Sequence, residues 1–297
     1  MKRIITIILA LILCLSMTGC RILPSTANLP VEGSSSVEQA VSDNAGLKAY
    51  FFDVGQGDCE LVVLPDGKSM LIDAGENGIG KIIADKIKAA GVSKIDYLVA
   101  SHPHADHIGS MDYIINNFEI GKIFAPKIAY KDTPTTKTYE RFLEAVKGKG
   151  LKITAAKAGM TLFSEGEYTA ECLAPLHDEN EGLNNYSVVI KLIFGDTSFL
   201  FMGDAESEVE EELLDYNVSA DVLKVGHHGS HSSSTIQFLR AVNPQFAVIS
   251  CGKGNKYGHP HTETIDNLNA LNIKYYRTDK NGDIVFLSDG KKINYKG

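Results

Sequence analysis

Cysteine is too scarce and too irregularly spaced to organise this sequence of 297 residues. Of its five cysteines, Cys59, Cys172 and Cys251 fall in the body of the chain. An odd number at such spacings excludes a disulfide framework or a cysteine zinc knuckle and leaves them as small buried hydrophobes. Positive charge is also short. Lys and Arg number 29 against 37 Asp and Glu, a net charge of −8. Such a chain lacks the electrostatic footprint for tight, non-specific nucleic-acid binding. The long apolar run at the start, Ile4 to Leu15, falls short of the roughly 20 residues that a bilayer span needs. No internal repeat recurs. What remains is ordinary globular composition, 44% hydrophobic and 22% charged, long enough for one large domain or two small ones.

The first twenty residues have their own pattern. Lys2 and Arg3 precede the apolar run, and Ser16 to Gly19 close it with mostly small residues before Cys20. A charged start, a short apolar stretch and a small-residue exit read as a secretory signal peptide over residues 1–19. Met17-Thr18-Gly19-Cys20 resembles a bacterial lipobox, with Met where Leu is usual. That resemblance implies lipid on Cys20 and an exported protein anchored to the outer face of the cell membrane. Residues 20–46 are rich in Ser, Pro, Ala, Asn and Glu and read as a flexible tether. Cleavage after residue 19 also removes Lys2 and Arg3, which makes the chain more acidic by two charges.

Residues 47–297 read as one domain. Ala49–Val54, Cys59–Leu64 and Ser69–Ile72 are short apolar or alternating runs. Gly55-Gln56-Gly57 and Pro65-Asp66-Gly67 separate them as tight turns between strands. Ile79–Ala90 has helical spacing and stops at Gly91. Tyr97–Ala100 reads as a buried strand, and Gly109–Asn117 and Lys137–Lys147 as helices. The second half predicts strands at Tyr168–Leu173, Ser187–Phe194, Thr197–Met202, Asp221–Val225 and Phe246–Ser250. Helices are predicted at Glu206–Leu214, Thr235–Val242 and Thr262–Leu271, and short strands from Ile273. Hairpin-joined strands followed by strands alternating with helices imply an α/β fold with mixed sheets and helices outside.

Eight of the nine histidines fall in three clusters, and His177 stands apart. The clusters are His102, His104 and His107; His227, His228 and His231; and His259 and His261. Each follows an apolar strand, and in open sheet proteins sites gather beyond the carboxyl ends of strands. In Ser101-His102-Pro103-His104-Ala105-Asp106-His107, a turn can point His102 and His104 one way and Asp106 and His107 another. That arrangement serves two adjacent metals, and imidazole with carboxylate suits zinc, manganese or iron.

His102-x-His104-x-Asp106-His107 resembles the signature of the metallo-β-lactamase superfamily. Leu71-Ile72-Asp73-Ala74-Gly75 resembles its first motif, and Phe201-Met202-Gly203-Asp204 the motif whose Asp bridges two metals. More narrowly, four further stretches resemble the catalytic domain of ComEC-type competence proteins. They are Phe52 to Asp58, Asn184 to Val189, Leu223 to Ser230 and Tyr257 to Pro260. The resemblance spans roughly residues 48–290 and implies an αββα sandwich of two facing mixed sheets. It also implies one or two divalent transition metals, zinc foremost. His102 and His104 would hold the first, Asp106 and His107 the second, and Asp204 would bridge. His228 would complete the set, with His227 beside it as the alternative. Asp73, Asn184 and Asn185 would support the ligands from behind. The chain departs from the family where Asn184-Asn185 stands at the usual place of a further histidine.

Two metals sharing a hydroxide supply a nucleophile near neutral pH and a clamp on the leaving oxygens. That fits attack on phosphorus or on a carbonyl. Gly229-Ser230-His231-Ser232-Ser233-Ser234-Thr235 runs into a predicted helix, and hydroxyls with free N–H groups there make an anion site or simply cap the helix. Lys253 and Lys256 lie on a loop that offers contacts to phosphate. His259, counted with Asp106 as catalytic, is placed to protonate a leaving alkoxide. With His227 and Ser230, the two lysines form the expected substrate contacts. The expected reaction is hydrolysis of a phosphodiester, in nucleic acid or in the cell wall. Hydrolysis of a lactam, lactone or thioester is the alternative. A surface protein that only binds is disfavoured by the intact ligand string.

Overall fold

The computed structural model describes residues 46–296. The signal, Cys20 and nearly all of the tether lie outside the described residues. The strands are β1 (Leu47–Phe51), β2 (Glu60–Val63), β3 (Ser69–Ile72), β4 (Lys94–Val99), β5 (Glu119–Pro126), β6 (Ile153–Ala156), β7 (Met160–Glu165) and β8 (Tyr168–Ala174). They continue as β9 (Val189–Phe194), β10 (Thr197–Phe201), β11 (Val222–Lys224), β12 (Phe246–Ile249), β13 (Lys274–Arg277), β14 (Ile284–Ser288) and β15 (Ile293–Lys296). One sheet runs β15-β14-β1-β2-β3-β4-β5-β6 and the other β13-β12-β11-β10-β9-β8-β7.

Each sheet changes character halfway. β1, β2 and β3 pair antiparallel through tight turns, because a hairpin needs only a few residues. From β3 to β6 the pairing is parallel, as is that from β10 to β13. Parallel neighbours need longer crossovers, and helices supply most of them. These are α1 (Gly80–Ala89), α2 (Ala105–Ile108), α3 (Met111–Asn117) and α4 (Lys137–Gly148) on the first sheet. On the second they are α5 (Ser207–Leu213), α6 (Ile236–Val242) and α7 (Thr262–Ala270).

Strand alternation divides the core into three. Met70 and Ile72 of β3 and Phe199 and Phe201 of β10 face the middle layer between the sheets. Leu71 turns outward onto α1 and α3, and Leu200 onto α5 and α6. Phe51 and Phe201 stack across the middle with ring centroids 5.9 Å apart. Each buried aromatic of this kind contributes roughly 1.5–3 kcal/mol. The result is the αββα sandwich. The sequence reading did not anticipate β5, β6 and β7, and the expected helix over Gly109–Asn117 begins at Met111, after the short turn α2.

Candidate metal centre

The carboxyl ends of β3, β4, β10, β11 and β12 come together at one rim of the sandwich and place the three histidine clusters there. Asp73, just past β3, is fully buried and held in the left-handed region at φ 58°. Its Oδ1 accepts from the Ser101 backbone N–H at 2.8 Å, and its Oδ2 from the Ser101 hydroxyl and from His107 Nδ1 at 2.7 Å. This fixes the His107 tautomer and turns Nε2 inward. His228 is fixed the same way, with Nδ1 donating to the Ser250 carbonyl at 3.0 Å. On the opposite side the β1–β2 turn presses on the histidine loop. Asp58 N–H donates to the Asp106 carbonyl at 3.1 Å, and Gly57, at φ 129°, leaves room for that approach.

His107 Nε2 and His228 Nε2 face each other at 3.3 Å. Asp204 Oδ2 lies 3.2 Å from His107 Nε2, and Asp204 Oδ1 3.5 Å from His228 Nε2. Asp106 Oδ2 is 3.3 Å from His228 Nε2. With both Nδ1 atoms donating elsewhere, both Nε2 atoms are turned on one another and on carboxylate oxygens, where each takes a proton or a metal ion. Protons on the two imidazoles or a metal ion among them can balance the Asp204 carboxylate. A tetrahedral ion with bonds of about 2.0–2.1 Å separates its donors by roughly 3.3–3.4 Å, so the spacing of His107, His228 and Asp204 fits one. Beside it, His102 Nε2 lies 3.0 Å from His104 Nδ1 and 3.7 Å from Asp204 Oδ2. That second group has three donors and shares Asp204 with the first.

The electrostatics follow. Burial would lower the His107 and His228 imidazoles, but Asp204, with Asp73 for the one and Asp58 for the other, outweighs it and raises both well above the usual range. Burial and then His107 push His102 well down, and burial lowers His104. Against burial, His107 and His228 hold the Asp204 carboxyl well below its ordinary value. Against burial, a hydrogen bond from His228 lowers Asp106. Two imidazoles raised around a lowered carboxylate show how strongly these buried groups act on one another.

A cavity of about 320 Å³ opens above these groups, lined by His104, Asp106, Asp204, His227, His228 and His259, with Gln56, Glu76, Asn184 and Tyr257 around them. His227 and His228 both occupy the left-handed region, at φ 47° and 54°. That turn sends His228 into the buried cluster and His227 to the cavity wall, where Nδ1 meets Ser232 Oγ at 2.9 Å. Asn184 lines the cavity with a buried Oδ1 that has no hydrogen-bond partner. Asn185 lies behind it and accepts from Glu206 N–H at 3.0 Å.

Several expected roles need correction. Ser230 is buried away from the cavity, and its Oγ accepts from the Ser232 backbone and hydroxyl. The helix start after it is not an open anion site, because the buried Glu210 carboxylate takes the Ser234 and Thr235 N–H groups and the Thr235 hydroxyl caps α6. Lys253 and Lys256 are exposed and do not line the cavity, although Lys256 Nζ sits 5.0 Å over the Tyr257 ring. His259 does line it, but burial and the neighbouring His228 lower its imidazole to about 4. A ring neutral near pH 7 holds no proton ready for a leaving group. His231 and His261 pair with each other, and exposed His177 pairs with Glu212 away from the centre.

Sequence reasoning missed Gln56, Glu76, Glu206 and Tyr257 as neighbours of the site. It also missed a buried pair beneath it, Asp58 and Lys224. The usable signal was Gly55-Gln56-Gly57-Asp58, since glycines flanking polar residues mark a close backbone approach.

Residues 52–253 match the family model of the metallo-beta-lactamase superfamily. The chain is 32% identical over 253 residues to ComE operon protein 3 of Bacillus subtilis, covering 79% of this chain and 32% of that one. It is also 32% identical over 253 residues to competence protein ComA of Neisseria gonorrhoeae, covering 84% of this chain and 33% of that one. It thus spans about a third of the length of these relatives. Among solved structures it resembles Igni18, a metallo hydrolase from the archaeon Ignicoccus hospitalis. The TM-score is 0.53 and the identity 15%, over 80% of this chain and 98% of that one. CmlA, a diiron beta-hydroxylase from Streptomyces venezuelae, matches with a TM-score of 0.51 and 15% identity, over 80% and 52%. Likeness at this identity speaks for the fold alone.

Proposed function

The chain belongs to the metallo-beta-lactamase superfamily, and from that premise we propose that this metallohydrolase is an exported, lipid-anchored phosphodiesterase. The observation that carries the reading is the pair of adjacent donor groups sharing Asp204 at the floor of an open cavity. Bound divalent ions, zinc foremost, would supply Lewis acidity toward a phosphoryl oxygen and an activated water. His107, His228, Asp106 and Asp204 would hold one ion, and His102, His104 and Asp204 the other. The protein's further contribution is orientation. Asp73 and the Ser250 carbonyl keep two imidazoles turned inward. Gln56, Asn184 and His259 line the cavity, and each keeps a buried polar atom without a hydrogen-bond partner.

Among the described residues no lysine or arginine lines the cavity, and Glu76 does. That lining favours a short or cell-wall phosphodiester over a long DNA backbone tracked by basic side chains. The test is a panel of metal-loaded assays on bis(p-nitrophenyl) phosphate, p-nitrophenyl phosphorylcholine, single- and double-stranded DNA, and a lactam. Cleavage of a phosphodiester with the lactam spared is expected. Robust lactam cleavage with every phosphodiester intact would overturn the reading.

A further inference from the structure

Beneath His228 lies a charged pair, one member of which, Asp58, also falls within reach of His107, Asp204 and His228 as a candidate donor. Lys224, the last residue of β11, is 1% exposed, and so is Asp58. Lys224 Nζ stands 2.7 Å from Asp58 Oδ2 and donates to the Val225 carbonyl at 3.0 Å. Burial of a lone ammonium or carboxylate is costly, and such a pair persists only where each charge answers the other. Glu60, equally buried, is not the main partner. Burial and then Asp58 push its carboxyl well up.

Asp58 has a second neighbour. Its Oδ1 lies 3.1 Å from His228 Nδ1 and has no hydrogen-bond partner, because that N–H points to the Ser250 carbonyl. An ion held by His228 Nε2 would lie across the ring from Nδ1, so Asp58 is on the wrong side to be a ligand of it. The backbone of Asp58 is committed to the same region. Its N–H donates to the Asp106 carbonyl, and its carbonyl accepts from the Gly75 N–H at 2.9 Å, beside Asp73.

We propose that Asp58, anchored by Lys224, is a positioning residue that holds His228 with Nδ1–H inward and Nε2 toward Asp106 and Asp204. A fixed carboxylate behind a ligating imidazole, next to the carbonyl that takes its N–H, steadies the ring and strengthens it as a donor. Lys224 keeps that carboxylate in place and ionised, and ties it to β11, the strand that delivers His228.

The proposal rests on the metal centre but not on the substrate, and zinc affinity of the full chain by chelator competition tests it. Loss of an outer partner typically weakens metal binding about 10- to 100-fold. Asp58→Asn should fall in that range. Lys224→Met should weaken zinc as well, and the double variant should lose no more than Asp58→Asn alone, since the two act as one unit. The double variant also removes both buried charges together, which keeps the test available where a single change prevents folding. Long-range 15N spectra should show the His228 Nδ1 resonance shifting in Asp58→Asn while the Ser250 carbonyl keeps the tautomer. Zinc affinity of Asp58→Asn within twofold of wild type, or losses that multiply in the double variant, would overturn the proposal. A purely structural Asp58 would instead lower the ion-free melting temperature and leave zinc affinity unchanged. Wild type that takes up no zinc defeats the metal centre itself. Zinc binding without phosphodiester cleavage defeats only the proposed function, and the affinities still decide Asp58.

Discussion

Replacing Gly57 by alanine probes how tightly the β1–β2 turn holds the ligand loop. A Cβ at residue 57 would stand 2.2 Å from the Asp106 carbonyl oxygen and 3.2 Å from the Asp106 Cβ. Carbon–oxygen contacts begin near about 3.3 Å, so the two backbones must part by about 1 Å. Asp106 then moves away from His228, and a misplacement of about 1 Å is worth on the order of 100-fold in rate. The backbone adds its own strain, about 1–3 kcal/mol for a side chain at a positive φ. Gly67→Ala separates the two effects, because Gly67 also has a positive φ, 83°, with nothing within 4 Å of the added carbon. Both variants should melt earlier, by roughly 2–4 °C per kcal/mol. Only Gly57→Ala should lose about 100-fold in kcat/KM on bis(p-nitrophenyl) phosphate and bind zinc more weakly. Equal kcat/KM for the two variants would refute the argument that this turn sets the position of Asp106.

His259→Ala should slow hydrolysis by a similar factor for a p-nitrophenolate and for an alkoxide leaving group, because an imidazole lowered to about 4 carries no proton to give near pH 7. A loss confined to the alkoxide would restore the proton-donor role. Cys20→Ala should leave the precursor uncut or release the protein into the soluble fraction, and unchanged processing and membrane retention would sink the lipid anchor. Glu210 gives a pH effect with a definite sign. Burial raises its carboxyl from 4.5 to about 7, so between these values the folded chain binds the extra proton and stability falls as pH rises. The full effect is roughly 3 kcal/mol. Glu210→Gln should flatten the difference between urea midpoints at low and neutral pH, and an unchanged slope would show that Glu210 is not its source.

Much of the fold was legible because β1 to β3 and β8 to β12 are apolar or alternating and bounded by glycine or proline turns. β5 was hidden by Glu119, Gly121 and Lys122, whose exposed positions break the apolar run. β6 and β7 carry several exposed residues and take their strand form from pairing partners. The histidine string was legible because its ligands are adjacent in sequence. Asp58 and Lys224 were not, since only the approach of the β1–β2 turn to the end of β11 joins residues so far apart. Ser230 to Thr235 misled for a related reason. Hydroxyls and a helix start suggest an anion, but the anion that fills them is Glu210 of this same chain.

The central claim is that two adjacent metal positions share Asp204. Elemental analysis of purified wild type, Asp106→Ala and Asp204→Ala after equilibration with zinc tests it most directly. The account predicts up to two ions per wild-type chain, a loss from the His107 and His228 position in Asp106→Ala, and losses from both positions in Asp204→Ala. Wild-type metal content retained in both variants would contradict it.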